Sequence, residues 1–360
     1  MRVDHLWLTD FRNYANAELE PAPDGLTVVI GNNGEGKTNL LEAIAYLATL
    51  RSFRGAPPEA LVRIGAECAI VRADAHHHQR QLLIEAEVRP SGRDRVQVNR
   101  QPLRRSRDLA GSLGVTVFAP DDLSLVKAGP QGRRDYLDDL LSAAQPRHDA
   151  LRREVERVLR QRNAVLKQAA GGSRLSPDVV TTLDVWDHKL ALAGDALAVA
   201  REQLTAILGP HAGVAYDRVA DRSAHVQLTY LRSWTGPLSV ALAQARSDDV
   251  RRGVSTVGPH RDDLGLSIGG LPSRTHTSQG EQRSLALALR LAGHRMVTET
   301  LGTPPVLLLD DVFSELDHDR SEALLACLPA GQALVTTAGA VPPQAHPELV
   351  VRIEGGKLLT

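Results

Sequence analysis

The chain is poor in cysteine and in aromatic residues, and it has no excess of charge of either sign. Only two of its 360 residues are cysteines, and 3% are aromatic. Cys68 and Cys327 lack the spacing of a zinc motif, which favours a reducing compartment. Because 42 basic residues are balanced by 43 acidic ones, a surface that binds nucleic acid would have to be a local cluster of basic residues.

Long apolar runs are also absent. No run approaches the ~18 residues that a membrane helix needs. Met1 leads directly into an alternating strand pattern at 3–8, without the pattern of a signal peptide. These absences predict a soluble cytoplasmic protein without a membrane partner. The length of 360 residues suits one large domain or two.

The clearest motif present is a glycine-rich loop between an apolar segment, 26–30, and a helical pattern, 39–50. Its eight residues match G-x-x-x-x-G-K-[ST], the phosphate-binding loop: Gly31, Asn32, Asn33, Gly34, Glu35, Gly36, Lys37 and Thr38. Glycines allow several N–H groups to converge on a phosphate at a helix N-terminus. We expect Lys37 to reach the β- and γ-phosphates of a nucleotide and Thr38 to ligate Mg²⁺.

A second motif is the apolar run 306–309, which ends in Asp310 and Asp311. A buried strand that ends in Asp after a phosphate loop is a Walker B pattern, and it predicts that Asp310 holds Mg²⁺ directly or through water. Asp311 is then placed to orient or deprotonate the attacking water, so Asp311 and Lys37 are the predicted catalytic residues. The alternative is that the two carboxylates merely end the strand.

Two further segments are candidates for nucleotide contact. Arg12 and Asn13 follow the first strand pattern, although Arg12 equally suits an ordinary surface position. Ser278-Gln279-Gly280-Glu281-Gln282 begins a helix of alanines and leucines, and free N–H groups with a hydroxyl suit a phosphate there. The cluster 258–263 could face the nucleotide or simply form a turn.

The chain divides by pattern into three parts: the N-terminal part of an ATPase head at 1–119, a helical lobe at 120–212, and the C-terminal part of the head at 213–360. In the lobe, apolar residues repeat every seven positions on both sides of a Gly-Gly-Ser break at 171–173, which predicts an antiparallel helical hairpin. Its predicted seam consists of Leu183, Leu190, Leu197 and Leu204, with Trp186, Ala193, Ala200 and Ile207 at the alternate positions.

Basic residues gather in two short segments that could face DNA. They are Arg51, Arg54 and Arg63 after the first helix, and Arg104, Arg105 and Arg107 before the lobe. Basic residues near a helix C-terminus are also favoured by the helix dipole, and others can pair with nearby carboxylates. Both interpretations stay open for each residue.

The phosphate loop, the Ser278 helix start, the two aspartates and Ser314-Glu315-Leu316-Asp317 together resemble the ATP-binding-cassette heads of the SMC and Rad50 class. Stretches at 11–14, 129–134 and 258–263 make the chain more similar to the RecF family. The resemblance implies an α/β fold with an ATP-binding-cassette-type head, built on a mixed sheet with helices, and a smaller helical lobe that contains the hairpin.

The same resemblance implies an ATP- and Mg²⁺-dependent homodimer that binds DNA at single-strand gaps or single-strand/double-strand junctions. Expected partners are RecO and RecR, with which it would promote RecA loading and SOS induction. In such heads the signature element contacts the γ-phosphate held by the opposite subunit, which would give Ser278, Gly280 and Gln282 their ligand.

Two departures from the wider cassette pattern predict a slow, switch-like and DNA-stimulated ATPase. Asp311 stands where most of these ATPases have glutamate, and no histidine occurs at 335–337, where Thr336 or Thr337 is the candidate substitute. The competing classes are a conventional nucleotide kinase or helicase and the cassette subunit of a transporter. We find no second substrate pocket, arginine-rich lid or translocation motifs in the sequence.

Overall fold

The computed structural model describes residues 1–78, 80–92, 94–103, 109, 111–170, 176–220, 223–339 and 341–359. The strands are β1 (Arg2–Phe11), β2 (Tyr14–Leu19), β3 (Gly25–Ile30), β4 (Ala69–His77), β5 (Arg80–Val88), β6 (Arg95–Val98), β7 (Gln101–Pro102), β8 (Val115–Phe118), β9 (Val226–Leu231), β10 (Asp263–Ile268), β11 (Leu271–Pro272), β12 (Val306–Leu309), β13 (Gln332–Thr337), β14 (Leu349–Glu354) and β15 (Lys357–Leu359). The helices are α1 (Lys37–Thr49), α2 (Pro58–Leu61), α3 (Ser124–Lys127), α4 (Pro130–Ala144), α5 (Pro146–Ala169), α6 (Pro177–Val219), α7 (Leu238–Arg252), α8 (Ser273–His276), α9 (Gln279–Leu301) and α10 (His318–Cys327).

The chain forms two compact units. The first consists of Met1–Leu123, His211–Ala224 and Ser278–Thr360, and the second of Ser124–Pro210 and His225–Thr277. No helix among the described residues has both the length and the apolar character needed to cross a membrane.

Two six-stranded sheets build the first unit. One is antiparallel, in the order β2-β1-β4-β5-β6-β7, and the other is mixed, in the order β15-β14-β3-β13-β12-β8. In the mixed sheet β14, β3, β13, β12 and β8 are parallel, and only β15 runs antiparallel to its neighbour. The carboxyl ends of β3, β13 and β12 therefore lie side by side, where α/β sheets bind their ligands.

Helix α1 packs against strands of both sheets. Its buried residues lie on more than one face, since they include Leu41, Ala45 and Tyr46 as well as Leu40, Ile44 and Leu47. Because a sheet covers it on either side, the helix exposes little surface and tolerates few polar residues. This packing fixes the start of α1, and with it the phosphate loop, against the mixed sheet.

The second unit combines the antiparallel sheet β11-β10-β9 with the helices α3 to α5, α7, α8 and most of α6. The hairpin helices α5 and α6 contact each other where Arg162 donates to Asp187 at 2.5 Å. Trp186 is half-buried, with the Arg157 guanidinium 5.9 Å from its ring centroid. The predicted leucine seam is confirmed, since all four of its residues are buried: Leu183, Leu190, Leu197 and Leu204.

The prediction for the alternate seam positions was wrong at Ile207, which is 55% exposed. Buried polar side chains occupy the inward face of α6 instead, among them Asp187, Arg201 and Thr205. Arg201 donates to both carboxylate oxygens of Asp138, at 2.8 and 2.7 Å. A heptad pattern of apolar residues does not predict such buried polar side chains. The buried face of α6 includes Arg201 and Thr205 and leaves Ile207 exposed.

The predicted boundary at 212/213 lies close to the division at 210/211, but the three-part division lacks a later return of the chain to the helical unit. Residues 225–277 belong to the helical unit rather than to the C-terminal part of the head. The reason lies in the cluster 258–263, where Asp263 accepts from Arg133 at 2.8 and 2.9 Å and the Asp262 carbonyl accepts from Arg134 at 2.7 Å. Of the two interpretations of this cluster, its contacts match the structural one.

Candidate nucleotide-binding site

The phosphate loop requires glycine at two positions because its backbone enters the left-handed region. Gly34 has φ +88° and Gly36 has φ +113°. A Cβ on Gly36 would also lie 2.6 Å from Nδ2 of Asn13 and 2.9 Å from the hydroxyl of Tyr14. Both the dihedral angle and the space therefore exclude other residues at Gly36.

Side chains from the first hairpin hold the loop in this shape. Asn13 Nδ2 donates to the Glu35 carbonyl at 2.8 Å, and the Tyr14 hydroxyl donates to the Gly36 carbonyl at 3.0 Å. Within the loop, the Asn32 N–H donates to the Glu35 carboxylate at 3.0 Å. The structure thus places Asn13 beside the loop, in contact with its backbone.

Lys37 is the first residue of α1, and its side chain folds back over the loop. Its Nζ donates to the carbonyls of Gly31 at 2.7 Å and Asn32 at 2.9 Å. The side chain is only 6% exposed. An ammonium has three donors, so these two contacts to the loop carbonyls leave one donor of Lys37 for a further acceptor.

Thr38, in the first turn of α1, contacts Asp310, which directly follows β12. The Thr38 hydroxyl lies 2.8 and 3.0 Å from the two carboxylate oxygens of Asp310. Thr336, at the end of β13 between them, donates to Asp310 Oδ1 at 2.7 Å. Burial raises the pKa of Asp310 above its ordinary value, and the hydrogen bonds from Thr336 and Thr38 act in the opposite direction.

The donor chemistry of this pair fits Mg²⁺. A hydroxyl and a carboxylate supply the hard oxygen ligands that this ion prefers, and Mg²⁺ usually keeps several waters rather than an all-protein cage. No cluster of three or more histidine, cysteine or acidic side chains suited to a metal occurs in the part of the chain that the structure describes.

Asp311 has an unusual backbone conformation for a residue other than glycine, with φ 47° and ψ 30°. Its N–H donates to the Thr336 hydroxyl at 2.9 Å, and its carboxylate accepts from Ser314 Oγ at 2.6 Å. The two aspartates of the motif therefore share one threonine, and the carboxylate of Asp311 points toward the turn that follows.

Arg12 forms an ion pair that the sequence did not reveal. Its Nε and Nη2 donate to the carboxylate of Glu42 at 2.7 and 2.8 Å, and Nη1 donates to the Ala60 carbonyl at 2.9 Å. Glu42 is fully buried in α1. An acidic residue within an otherwise apolar stretch of helix was the available signal, because such a residue needs a partner.

The predicted signature element starts α9 as an N-cap. The Ser278 N–H donates to the Glu281 carboxylate at 2.7 Å, and the Glu281 N–H donates to Ser278 Oγ at 3.3 Å, which forms a capping box. A Cβ on Gly280 would lie 2.7 Å from a guanidinium nitrogen of Arg320. Gln282 is buried. Ser278 and Gly280 thus contact Glu281 and Arg320, whereas Lys37 and Thr38 contact the loop and Asp310.

The candidate DNA-facing arginines differ in their surroundings. Arg51 and Arg54 are exposed, whereas Arg63 pairs with Asp10 at 2.6 Å. Arg54 also lies near the loop, since its Nη1 donates to Asn39 Oδ1 at 3.4 Å. The remaining candidates lie outside the described residues: Arg104, Arg105 and Arg107.

The fold and the site define a P-loop ATPase head of the ATP-binding-cassette class. A family model described as RecF/RecN/SMC N terminal domain matches residues 2–340. "DNA replication and repair protein RecF" from Streptomyces avermitilis is 44% identical, over 94% of this chain and 93% of that protein. The protein of that name from Paenarthrobacter aurescens is 38% identical, over 99% of both. The chain therefore belongs to the RecF family.

Solved structures agree with this assignment. The structure described as the recombination mediator protein RecF-ATPrS in the RecFOR pathway has a TM-score of 0.89 and 28% identity, over 99% of this chain and 97% of that one. An Smc head domain derived from Pyrococcus furiosus has a TM-score of 0.58 at 14% identity, which shows the fold alone. The predicted fold class and family resemblance are both confirmed.

Proposed function

We propose that the chain is an ATP-dependent DNA-binding protein of recombinational repair and replication-fork maintenance, a RecF-type recombination mediator. The observation that carries this proposal is the meeting of Thr38 and Asp310 at 2.8 Å where two parallel strands end. A turn with a chance Lys-Thr sequence would not bring a carboxylate from 272 residues away to the threonine hydroxyl.

The residues of the loop would bind ATP in named roles. The N–H groups of 31–38 surround the phosphates, and Lys37 exchanges the carbonyls of Gly31 and Asn32 for β- and γ-phosphate oxygens. Thr38 and Asp310 hold Mg²⁺, which when bound neutralises charge on the transferring phosphoryl group. Asp311 orients the attacking water once its carboxylate leaves Ser314.

A second copy of the chain completes the site. Ser278 and Gly280 lie at the N-terminus of the 23-residue helix α9, which carries a partial positive charge that favours phosphate. Since Lys37 and Thr38 already serve the nucleotide of their own subunit, this element binds the γ-phosphate of the partner, with Gln282 packed beneath it. ATP binding would therefore bring two copies of the chain together as a homodimer.

The wider role follows from relatives that carry the name DNA replication and repair protein and from a neighbour described within the RecFOR pathway. The dimer acts at gapped DNA and at single-strand/double-strand junctions. Together with RecO and RecR it promotes RecA loading and SOS induction. Hydrolysis is slow and DNA-stimulated, and it releases the dimer.

ATP hydrolysis measured with and without gapped duplex tests the proposal. We expect slow turnover that rises when gapped DNA is added, and a dimer in ATP but not in ADP. Fast turnover that ignores DNA, with a monomer throughout, would instead favour a conventional P-loop enzyme such as a nucleotide kinase.

A further inference from the structure

Thr336 occupies the central position among the strands that carry the site. It belongs to β13, which pairs with β3 on one side and with β12 on the other. Strand β3 leads into the phosphate loop, and β12 leads into Asp310. The Thr336 side chain is fully buried, so its hydroxyl needs partners inside the protein.

Both partners of that hydroxyl are aspartates of the Walker B pair. Thr336 Oγ1 donates to Asp310 Oδ1 at 2.7 Å and accepts from the Asp311 N–H at 2.9 Å. A hydroxyl has one donor and two acceptor lone pairs, so a single side chain can connect the carboxylate of Asp310 to the backbone of Asp311. Asp310 Oδ1 and Oδ2 lie 2.8 and 3.0 Å from the Thr38 hydroxyl, so Thr336 and Thr38 hold the same carboxylate.

The second contact acts on a residue with a left-handed backbone conformation. Asp311 has φ 47°, in a region that few residues other than glycine adopt and that aspartate enters more readily than most. The hydrogen bond from the Asp311 N–H to Thr336 fixes the peptide group that precedes this φ angle. It therefore sets the direction in which the Asp311 side chain leaves the backbone.

We propose that Thr336 is a positioning residue for ATP hydrolysis, which aligns Asp310 with Thr38 and fixes the backbone of Asp311. This inference rests on the proposed function, because it assigns a role within the same ATPase site. It also separates the two threonines that stand where a switch histidine was expected. Thr336 holds the aspartates, whereas Thr337 does not contribute to their alignment.

The Thr337 hydroxyl accepts instead from the Gly339 N–H at 3.1 Å, and successive side chains of a strand point to opposite faces. Thr27 offers a matched control outside the proposed machinery. It lies in β3, which pairs with β13, it is fully buried, and its hydroxyl accepts from the Ala22 N–H at 3.0 Å. Thr27→Val therefore removes an equally buried hydroxyl of the same sheet without touching the hydrogen bonds to Asp310 and Asp311.

The test compares Thr336→Val, Thr336→Ser and Thr27→Val by nucleotide titration with and without Mg²⁺ and by single-turnover hydrolysis. In Thr336→Val we expect unchanged ATP binding without Mg²⁺, a smaller gain in affinity on adding Mg²⁺, and hydrolysis slower by about 10- to 10²-fold, as misplaced groups typically cost. Thr336→Ser keeps the hydroxyl and stays within about fivefold, since only a methyl group is lost. Thr27→Val matches the wild type.

Equal hydrolysis in Thr336→Val and Thr27→Val, whether both are normal or both reduced, would overturn the positioning role. Lack of rescue in Thr336→Ser would overturn it as well. If thermal unfolding shows that Thr336→Val does not fold, Thr336→Cys replaces it, because a thiol is a weak donor and acceptor. Failure of the wild-type chain to bind ATP at all would instead reject the proposed function, and this inference with it.

Discussion

At the scale of single residues, we expect nucleotide binding to depend most on the side chain of Lys37. Lys37→Ala removes the charge that pairs with the β- and γ-phosphates, and charge-assisted hydrogen bonds are the strongest in such a site. We expect the variant to lose ATP binding in a fluorescence titration with a labelled nucleotide.

Lys357→Ala is the control for this loss. Lys357 is an exposed lysine in β15, at the edge of the same sheet, so its removal changes the net charge equally without touching the loop. Unchanged affinity in a folded Lys37→Ala variant would reject the phosphate-loop assignment.

Asp311 separates hydrolysis from binding. Asp311→Asn neutralises the carboxylate that would orient water, while Thr38 and Asp310 keep their contact at 2.8 Å. General-base help is typically worth ~10²–10⁴ in rate, so single-turnover hydrolysis should fall within that range.

ATP binding and the ATP-bound dimer should persist in Asp311→Asn. Asp310→Asn is the contrasting variant, because it should weaken the Mg²⁺-dependent binding of ATP itself. If Asp311→Asn hydrolyses ATP like the wild type, the water-orienting role belongs to another residue.

The residues that entered the predicted site from the sequence are those whose positions follow from local spacing. Lys37 and Thr38 follow the loop pattern, and Asp310 follows an apolar strand, so chain order alone brought them into the hypothesis. The pairing of Arg12 with Glu42 joins residues 30 apart, and no local pattern encodes it. Thr336 was already a candidate, but only the pairing of β13 between β3 and β12 identifies its partners.

At the scale of elements, the start of α9 is a cap and a candidate interface at once. Ser278→Arg places a long side chain where the phosphate of a second subunit would lie. We expect sedimentation in ATP to show a monomer, while nucleotide titration shows normal ATP binding.

The cap itself needs a control, because losing a serine N-cap typically costs ~1 kcal/mol. Ser278→Ala removes the cap without adding bulk, and Ser278→Asn keeps a capping side chain. A Ser278→Arg chain that still forms dimers in ATP would reject the composite site.

Arg162 shows why the helical unit was only partly predictable. Heptads of leucine correctly predicted one buried seam of α6, but this arginine is fully buried and donates to both Asp187 and Asp249. Arg162→Leu would leave these two carboxylates without their shared cation, and breaking a buried pair in this way costs about 3–5 kcal/mol.

Denaturant unfolding of the whole chain would measure that loss. Arg160→Leu, an exposed position on the same helix, should change the midpoint little. Equal midpoints for the two variants would show that the buried ion pairs contribute no net stability.

At the scale of the whole molecule, the sequence predicted that the nucleotide motifs share one unit, but it did not predict the full division of the chain. The nucleotide motifs lie in the first unit, as expected of a cassette head. The chain enters the first unit at 211–224, close to the predicted boundary, but strand β9 and its partner β10 then belong to the second unit, which was not predicted. Strand patterns alone do not reveal which unit a sheet joins.

The prediction for DNA binding concerns the assembled dimer. With a net charge of −1, the chain has no general attraction for DNA, so a local basic surface must supply it. If ATP closes a dimer that places two such surfaces side by side, ATP should tighten binding to gapped duplex. Salt should weaken binding with a slope of about −0.9 per phosphate neutralised. Gel shifts with and without ATP, across several salt concentrations, measure both effects.

Two arginines that differ in pairing make the comparison specific. Arg51 is exposed, whereas the charge of Arg63 already pairs with Asp10 at 2.6 Å. Arg51→Gln, like charge removal at Arg104 and Arg105, should weaken all DNA sequences alike and reduce the salt slope, because phosphate contacts position without reading bases. Arg63→Gln should change DNA binding less. Binding that ignores both ATP and salt would exclude the ATP-gated mechanism, even if every nucleotide prediction above held.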